Sequence, residues 1–155
     1  MGIKEIITQR AVDMIVERPA AKLTLPQLED ALQIDGLKLD GVFEGMSDTA
    51  ANRRLLSHIV GLEAWGVHRL RVALGDPLVM DEYDAYRPPK SLGWRDLQKQ
   101  FRSQRQQTLD MALKLDAAHA EDVKVPHNQY GELTTRGWLY YLNMHANLEA
   151  RYFRG

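Results

Sequence analysis

The stretch Leu55-Leu56-Ser57-His58-Ile59-Val60-Gly61-Leu62-Glu63-Ala64-Trp65-Gly66 decides the fold class. Leu55, His58, Ile59, Leu62, Trp65, Gly66 and then Leu70 recur every three or four residues, the spacing of one face of an α-helix. Upstream, Ser47 or Asp48 supplies an N-cap, and downstream Gly75-Asp76-Pro77 stops the helix after about Leu74. The pattern predicts a helix over residues 49–74, roughly 39 Å long at 1.5 Å per residue.

The same periodicity continues outward on both sides. Ser91 caps a second long helix over residues 92–118, carried by Trp94, Leu97, Phe101, Thr108, Met111, Ala112 and Leu115. Pro126 and Gly131 break the chain, and Thr134 opens a helix over residues 134–153 with Trp138, Tyr141, Leu142, His145, Leu148 and Tyr152 facing inward. Near the N-terminus, Ile3, Ile6, Ile7, Ala11, Met14 and Ile15 form a stripe over residues 3–17, which Pro19 ends. Between these, Thr24 and Pro26 open a short helix through Ala31, and Gly36, Gly41 and Gly45 make the remainder a connection. No segment sustains a period of two, so no sheet is expected. The expected architecture is all-α, a four-helix bundle with a short extra helix between the first two long ones, forming a single domain over residues 1–155.

Composition excludes several classes of function. A formal net charge of −1 over 155 residues offers no basic face for nucleic acid. The basic run Arg95 to Arg105 is interleaved with Gln and Asp and reads as a solvated helix face. With no cysteine, disulfides, thiolate nucleophiles and sulfur-ligated metals are out of reach. Met1 to Arg10 lacks the apolar core of a signal peptide, and no apolar run approaches the ~20 residues of a membrane span. A cytoplasmic location without membrane partners is the expectation.

Of the five histidines, His58 and His145 fall on inward stripes of different helices. Glu149 lies one turn beyond His145 on the same face. Two ligands from one helix and a third from a facing helix suit a divalent ion, with positions left for water or substrate. A lone inward histidine is more often a hydrogen-bonded core residue, and Glu149 at the edge of its stripe is equally readable as solvated. His68 reads as a surface residue, and His119 and His127 as exposed residues of a connection. Glu63 reads as an ion pair on the helix face or with a neighbouring helix. Trp65, Trp94, Trp138 and Tyr141 read first as core aromatics and second as pocket walls. The loop Asp81 to Tyr86 reads as solvated, or as the gate of a pocket mouth.

The segment from Leu55 to Trp65, with its histidine followed five residues later by Glu63, resembles the second-helix signature of the DinB-like superfamily of metalloenzymes. Gly131 to Thr134 followed by Leu139 to His145 is similar to that family's C-terminal helix. The resemblance covers roughly residues 48–155. It implies metal ligands at His58, His145 and Glu149, the last where the family usually has histidine. Tyr152 stands where many members have glutamine. It further implies a homodimer, and a transferase, isomerase or hydrolase acting on a small-molecule substrate through a metal-activated low-molecular-weight thiol or water. Tyr141, Tyr152, Glu63 and Trp65 would line the pocket. Nickel, zinc or iron suits imidazole donors better than magnesium, and the second nitrogen of each ring should meet an acceptor. The rival reading is a non-catalytic small-molecule binder or stress-associated bundle whose metal site has degenerated.

Overall fold

The computed structural model describes residues 2–155, the side chains of residues 4–7 excepted. The chain is predominantly helical. Helix α1 (Ile3–Val12) widens into a π turn (Asp13–Glu17) and continues as α2 (Arg18–Ala21). Then come α3 (Leu25–Glu44), α4 (Ala50–Leu70) and α5 (Trp94–Ala117), a hairpin of β1 (Lys124–His127) and β2 (Gly131–Thr134), and α6 (Thr135–Glu149). Each of α3, α4, α5 and α6 packs on two of the others, in the cyclic order α3, α5, α4, α6. Among the described residues no helix is long and apolar enough to cross a membrane.

Three of the expected helices keep nearly their expected bounds. Thr49, rather than Ser47 or Asp48, caps α4 by accepting from the Asn52 amide, and a 3-10 turn (Arg71–Leu74) leads to Gly75 in the left-handed region. Thr134 caps α6 as expected. Gly93, rather than Ser91, stands at the start of α5. The expected inward residues of α5 are all buried. On α6, Trp138, Tyr141 and Leu142 are buried, whereas Leu148 and Tyr152 are exposed; Tyr152 lies past the helix end, in the 3-10 turn that begins at Ala150.

The N-terminal third departs from expectation. Residues 25–44 form one continuous helix where a connection was expected beyond Ala31. Thr24 and Gln27 make a reciprocal capping box, with Pro26 in the first turn. Leu25, Leu28, Leu32, Gly36, Leu39 and Phe43 are its buried stripe. Gly36 lies on that stripe because the Arg105 side chain crosses there: a Cβ would sit 2.9 Å from Arg105 Cγ.

Pro19 does not end the first helical segment. The π turn, in which the Arg18 amide bonds back to Asp13, precedes the proline, and the segment runs to Ala21. Val16 and Ala20 are buried, Val12 is half-buried, and Ala11, Met14, Ile15 and Ile3 are exposed. The buried face is thus rotated from the expected stripe, while the side chains of Ile6 and Ile7 lie outside the described set. Glu17, in the π turn, accepts from the amide (3.0 Å) and hydroxyl (2.9 Å) of Thr134, which ties this segment to the start of α6.

The hairpin is a second correction. β1 and β2 pair antiparallel with Val125 opposite Leu133, and both side chains are buried. Four-residue strands are too short to display a period of two. His127, expected to be exposed, is only 6% exposed. Its Nδ1 accepts from the amides of Gln129 and Tyr130 (3.0 and 3.2 Å), which places the proton of the neutral ring on Nε2. The ring stacks on Tyr130 and meets Trp65 and Tyr141 edge to face. Burial, followed by the nearby Arg69 charge, pushes its pKa down to about 4.

The apolar interior forms two clusters, one around Leu62, Trp65, Leu109 and Trp138, the other around Phe43, Ile59, Phe101 and Ala146. A polar seam separates them. Glu63, 1% exposed, accepts two bonds from Arg105 (2.7 and 3.2 Å) and one from the Thr108 hydroxyl (2.8 Å). Arg105 also donates to the Leu32 carbonyl and to Asn143, each at 2.9 Å. Asn143 and Asn147 then both donate to Asp35. Arg105 is therefore buried at the centre of four helices, not part of a solvated face.

Candidate metal centre

His58 projects from the third turn of α4, and His145 and Glu149 from the last turns of α6, where the two helices pack. The structure brings these three expected residues together. His58 Nε2 lies 3.1 Å from His145 Nε2, and Glu149 Oε1 lies 3.9 Å from the first and 3.7 Å from the second. Donors bound to a zinc-like ion at about 2.1 Å in a tetrahedral array stand about 3.4 Å apart. The observed triangle brackets that separation, so the three side chains can hold a metal ion.

Electrostatics agree with the geometry. Burial pushes the His145 pKa down to about 4, with the neighbouring His58 ring adding to the effect. Burial also lowers His58, reinforced by the Arg87 charge and opposed by Glu149 and Asp84. Both rings are therefore neutral near pH 7, and the contacts with Glu149 are donor beside donor rather than ion pairs. Neutral imidazole and carboxylate are the protonation states a cation requires of its ligands. The Glu149 side chain is 30% exposed and has no cationic partner among the described residues.

The surroundings match the sequence expectation in part. Tyr141 is buried with its ring 6.2 Å from that of His145, and Tyr83 meets His58 edge to face at 5.1 Å. Burial and the neighbouring phenols hold the Tyr141 hydroxyl well above its ordinary pKa, so it stays protonated. Tyr152 is 67% exposed. Trp65 packs against His127 and Trp138 and donates to the Asp81 carbonyl, and Glu63 is committed to Arg105 and Thr108. These three stand in the core or in solvent and have no recorded contact with the His58–His145 pair. Neither ring's Nδ1 meets a protein acceptor among the described residues, contrary to expectation.

Several residues near the site escaped the sequence reading. The loop Asp81 to Tyr86 is pinned at Asp81 and Tyr86, while Glu82, Asp84 and Ala85 between them are exposed, as the solvated reading had it. The Asp81 carbonyl accepts from Trp65, Arg69 and Asn128, and Tyr86 bonds both Asp81 (2.5 Å) and the half-buried His68 (2.9 Å). Arg69 is buried and also donates to the Pro126 carbonyl. The i,i+4 spacing of the two α6 donors was legible, but no local pattern signalled these long-range polar contacts.

Compared with known proteins, the chain matches no family model, no curated protein and no solved structure. Fold and donors together describe a helical chain with a His–His–Glu group suited to a metal ion.

Proposed function

We propose that this chain is a metal-dependent enzyme of the DinB-like kind, with α3, α4, α5 and α6 as its four-helix bundle and one divalent ion held by His58, His145 and Glu149. The observation that carries the reading is the triangle of 3.1, 3.7 and 3.9 Å made by three donors from two helices. Imidazole donors favour nickel, zinc or iron over magnesium. Such an ion supplies Lewis acidity toward a water or a low-molecular-weight thiol, the chemistry of hydrolysis or of thiol-dependent transfer and isomerisation. The chain's own residues supply the rest. Glu149 contributes the negative charge, Tyr83 restrains the His58 ring, and Tyr141 presents a protonated phenol beside His145. A small-molecule substrate and a homodimer belong to the same reading.

The second reading is a non-catalytic small-molecule binder with a degenerate site. The missing acceptors at both Nδ1 atoms favour it, because ligating histidines ordinarily donate that proton to a protein group. Metal content of the protein purified without a histidine tag tests the choice. About one nickel, zinc or iron per chain, lost in His58→Ala, supports the enzyme. A metal-free chain that takes up none of the three on incubation overturns it.

A further inference from the structure

A cleft of about 970 Å³ opens beside the metal-ligand cluster, and its charges are unbalanced. Ala50, Arg53, Arg54 and Ser57 line one wall, spaced as one stripe of α4, and the segment from Asp84 to Lys90 lines the opposite wall. Of the two acids in the cleft, Asp48 is taken by Arg53 (2.5 and 2.8 Å) and Asp84 by Arg87 (3.6 Å). Arg54 and Lys90 have no acidic partner among the described residues. Two cations thus remain uncompensated in a concavity whose size suits a small molecule.

The cleft wall is preformed. Arg87 donates to the Arg54 carbonyl (3.1 Å) and the Ser57 hydroxyl (3.3 Å). Its backbone rests on α4 at Gly61, where a Cβ would stand 3.1 Å from Arg87 Cα and 2.6 Å from its Cγ. Only glycine permits that approach. The segment then continues as Pro88-Pro89, whose rings restrict the backbone. Arg54 lies four residues before His58 on the same helix, about 6 Å along the axis at 1.5 Å per residue. Tyr83, next to Asp84, touches the His58 ring.

We propose that this cleft is an oxyanion subsite, which takes the carboxylate or phosphate of a small acidic substrate through Arg54 and Lys90 while the substrate's other end reaches the His58–His145–Glu149 cluster. The assignment rests on the proposed function for the reacting end, while the anion site stands on its own residues. A guanidinium offers the paired donors that a planar carboxylate or a phosphate accepts, and an ammonium adds a point charge. Two free cations are too few for a polyanion, in keeping with the net charge of −1.

Calorimetric titration of the full chain, zinc-loaded and metal-free, with succinate and separately with inorganic phosphate tests the subsite. Zinc stoichiometry is measured on the same samples. Saturable binding of either anion is expected, weakened about tenfold or more in Arg54→Ala and in Lys90→Ala, and lost in Arg54→Glu, with zinc uptake unchanged. Tighter binding of succinate assigns a carboxylate, and of phosphate a phosphate ester. Absence of saturable binding, or binding indifferent to all three variants, overturns the subsite. Because both side chains are exposed, the variants should fold, which circular dichroism checks. Anion binding that survives in a chain unable to take up zinc keeps the subsite and overturns only the metal reading.

Discussion

Two polar clusters begin five residues apart on α4 and are built on opposite principles. At Glu63 every charge has an answer: two bonds from Arg105, one from Thr108, and Arg105 itself saturated by Leu32 and Asn143. At His58 the imidazole Nε2 atoms have only each other, at the hydrogen-bond distance of 3.1 Å, and Glu149 has no cationic partner among the described residues. Two neutral imidazoles and a carboxylate face one another across less than 4 Å with no cation among them. A buried charge that finds its partner within the chain stabilises one arrangement of helices, whereas converging donors left short of partners form a group that could hold a metal ion. Neighbouring charged residues on one helix can therefore differ in kind, and only their partners reveal which is which.

The sharpest break in this comparison comes from Arg105. Arg105→Met leaves Glu63 without its cationic partner in the core, and denaturant unfolding should show a loss of about 3–5 kcal/mol. The double variant with Glu63→Leu should recover much of it, since apolar side chains can replace a buried pair. A single variant that unfolds like the parent would remove the contrast between the clusters. His58→Ala should behave oppositely. Metal affinity should fall at least about 100-fold, since even changes to groups that only orient a ligand cost about 10–100-fold, while denaturant stability of the metal-free chain moves by less than about 1 kcal/mol.

His127 sharpens the comparison through pH. The folded ring titrates near 4 and the unfolded one near 6.5. Below about pH 6.5 the unfolded chain takes up a proton that the folded ring refuses. The stabilisation is therefore complete above that pH and is lost as pH falls toward 4. Between pH 7 and pH 5 the loss should be about 2 kcal/mol, read as a slope in thermal or urea unfolding that shrinks in His127→Phe. The smallest effect is expected at Tyr86, whose pKa is pushed up to about 12 by burial and then by its bond to Asp81. Tyr86→Phe should cost about 1 kcal/mol and leave metal content untouched, which atomic absorption checks.

Helices α4, α5 and α6 were legible because their buried faces repeat at helical spacing and their ends carry recognisable stops. Helix α3 was missed although Leu25, Leu28, Leu32, Leu39 and Phe43 keep that spacing. Its glycines read as breakers, and only the path of Arg105 explains why Gly36 belongs there. The stripe of α1 was misplaced by one residue, since Ala11 and Ile15 are exposed where the next residues, Val12 and Val16, turn inward, and the π turn from Asp13 to Glu17 adds a widening that a fixed 3.6-residue period cannot follow. The trio of His58, His145 and Glu149 was legible as two inward histidines and one i,i+4 neighbour. Glu63 was legible as an ion pair with a neighbouring helix, whereas Arg105 and Arg69 were not placed, since a charged residue on a helix looks solvated until the partner that buries it is known. The cleft was equally hidden, because its cations belong to a helix turn and a loop that only the fold brings together.

The donors of the cluster are also far apart along the chain: 87 residues separate His58 from His145, and 117 separate Glu17 from the Thr134 that it braces. On a ribosome, α4 emerges with one ligand and must wait for α5, the hairpin and most of α6 before the other two arrive. Contacts of such long range form late and slowly. A nascent chain therefore presents a lone imidazole at His58, and the three donors converge only once α6 has docked. The order of synthesis thus keeps the three side chains apart until nearly the whole of the described fold has been made.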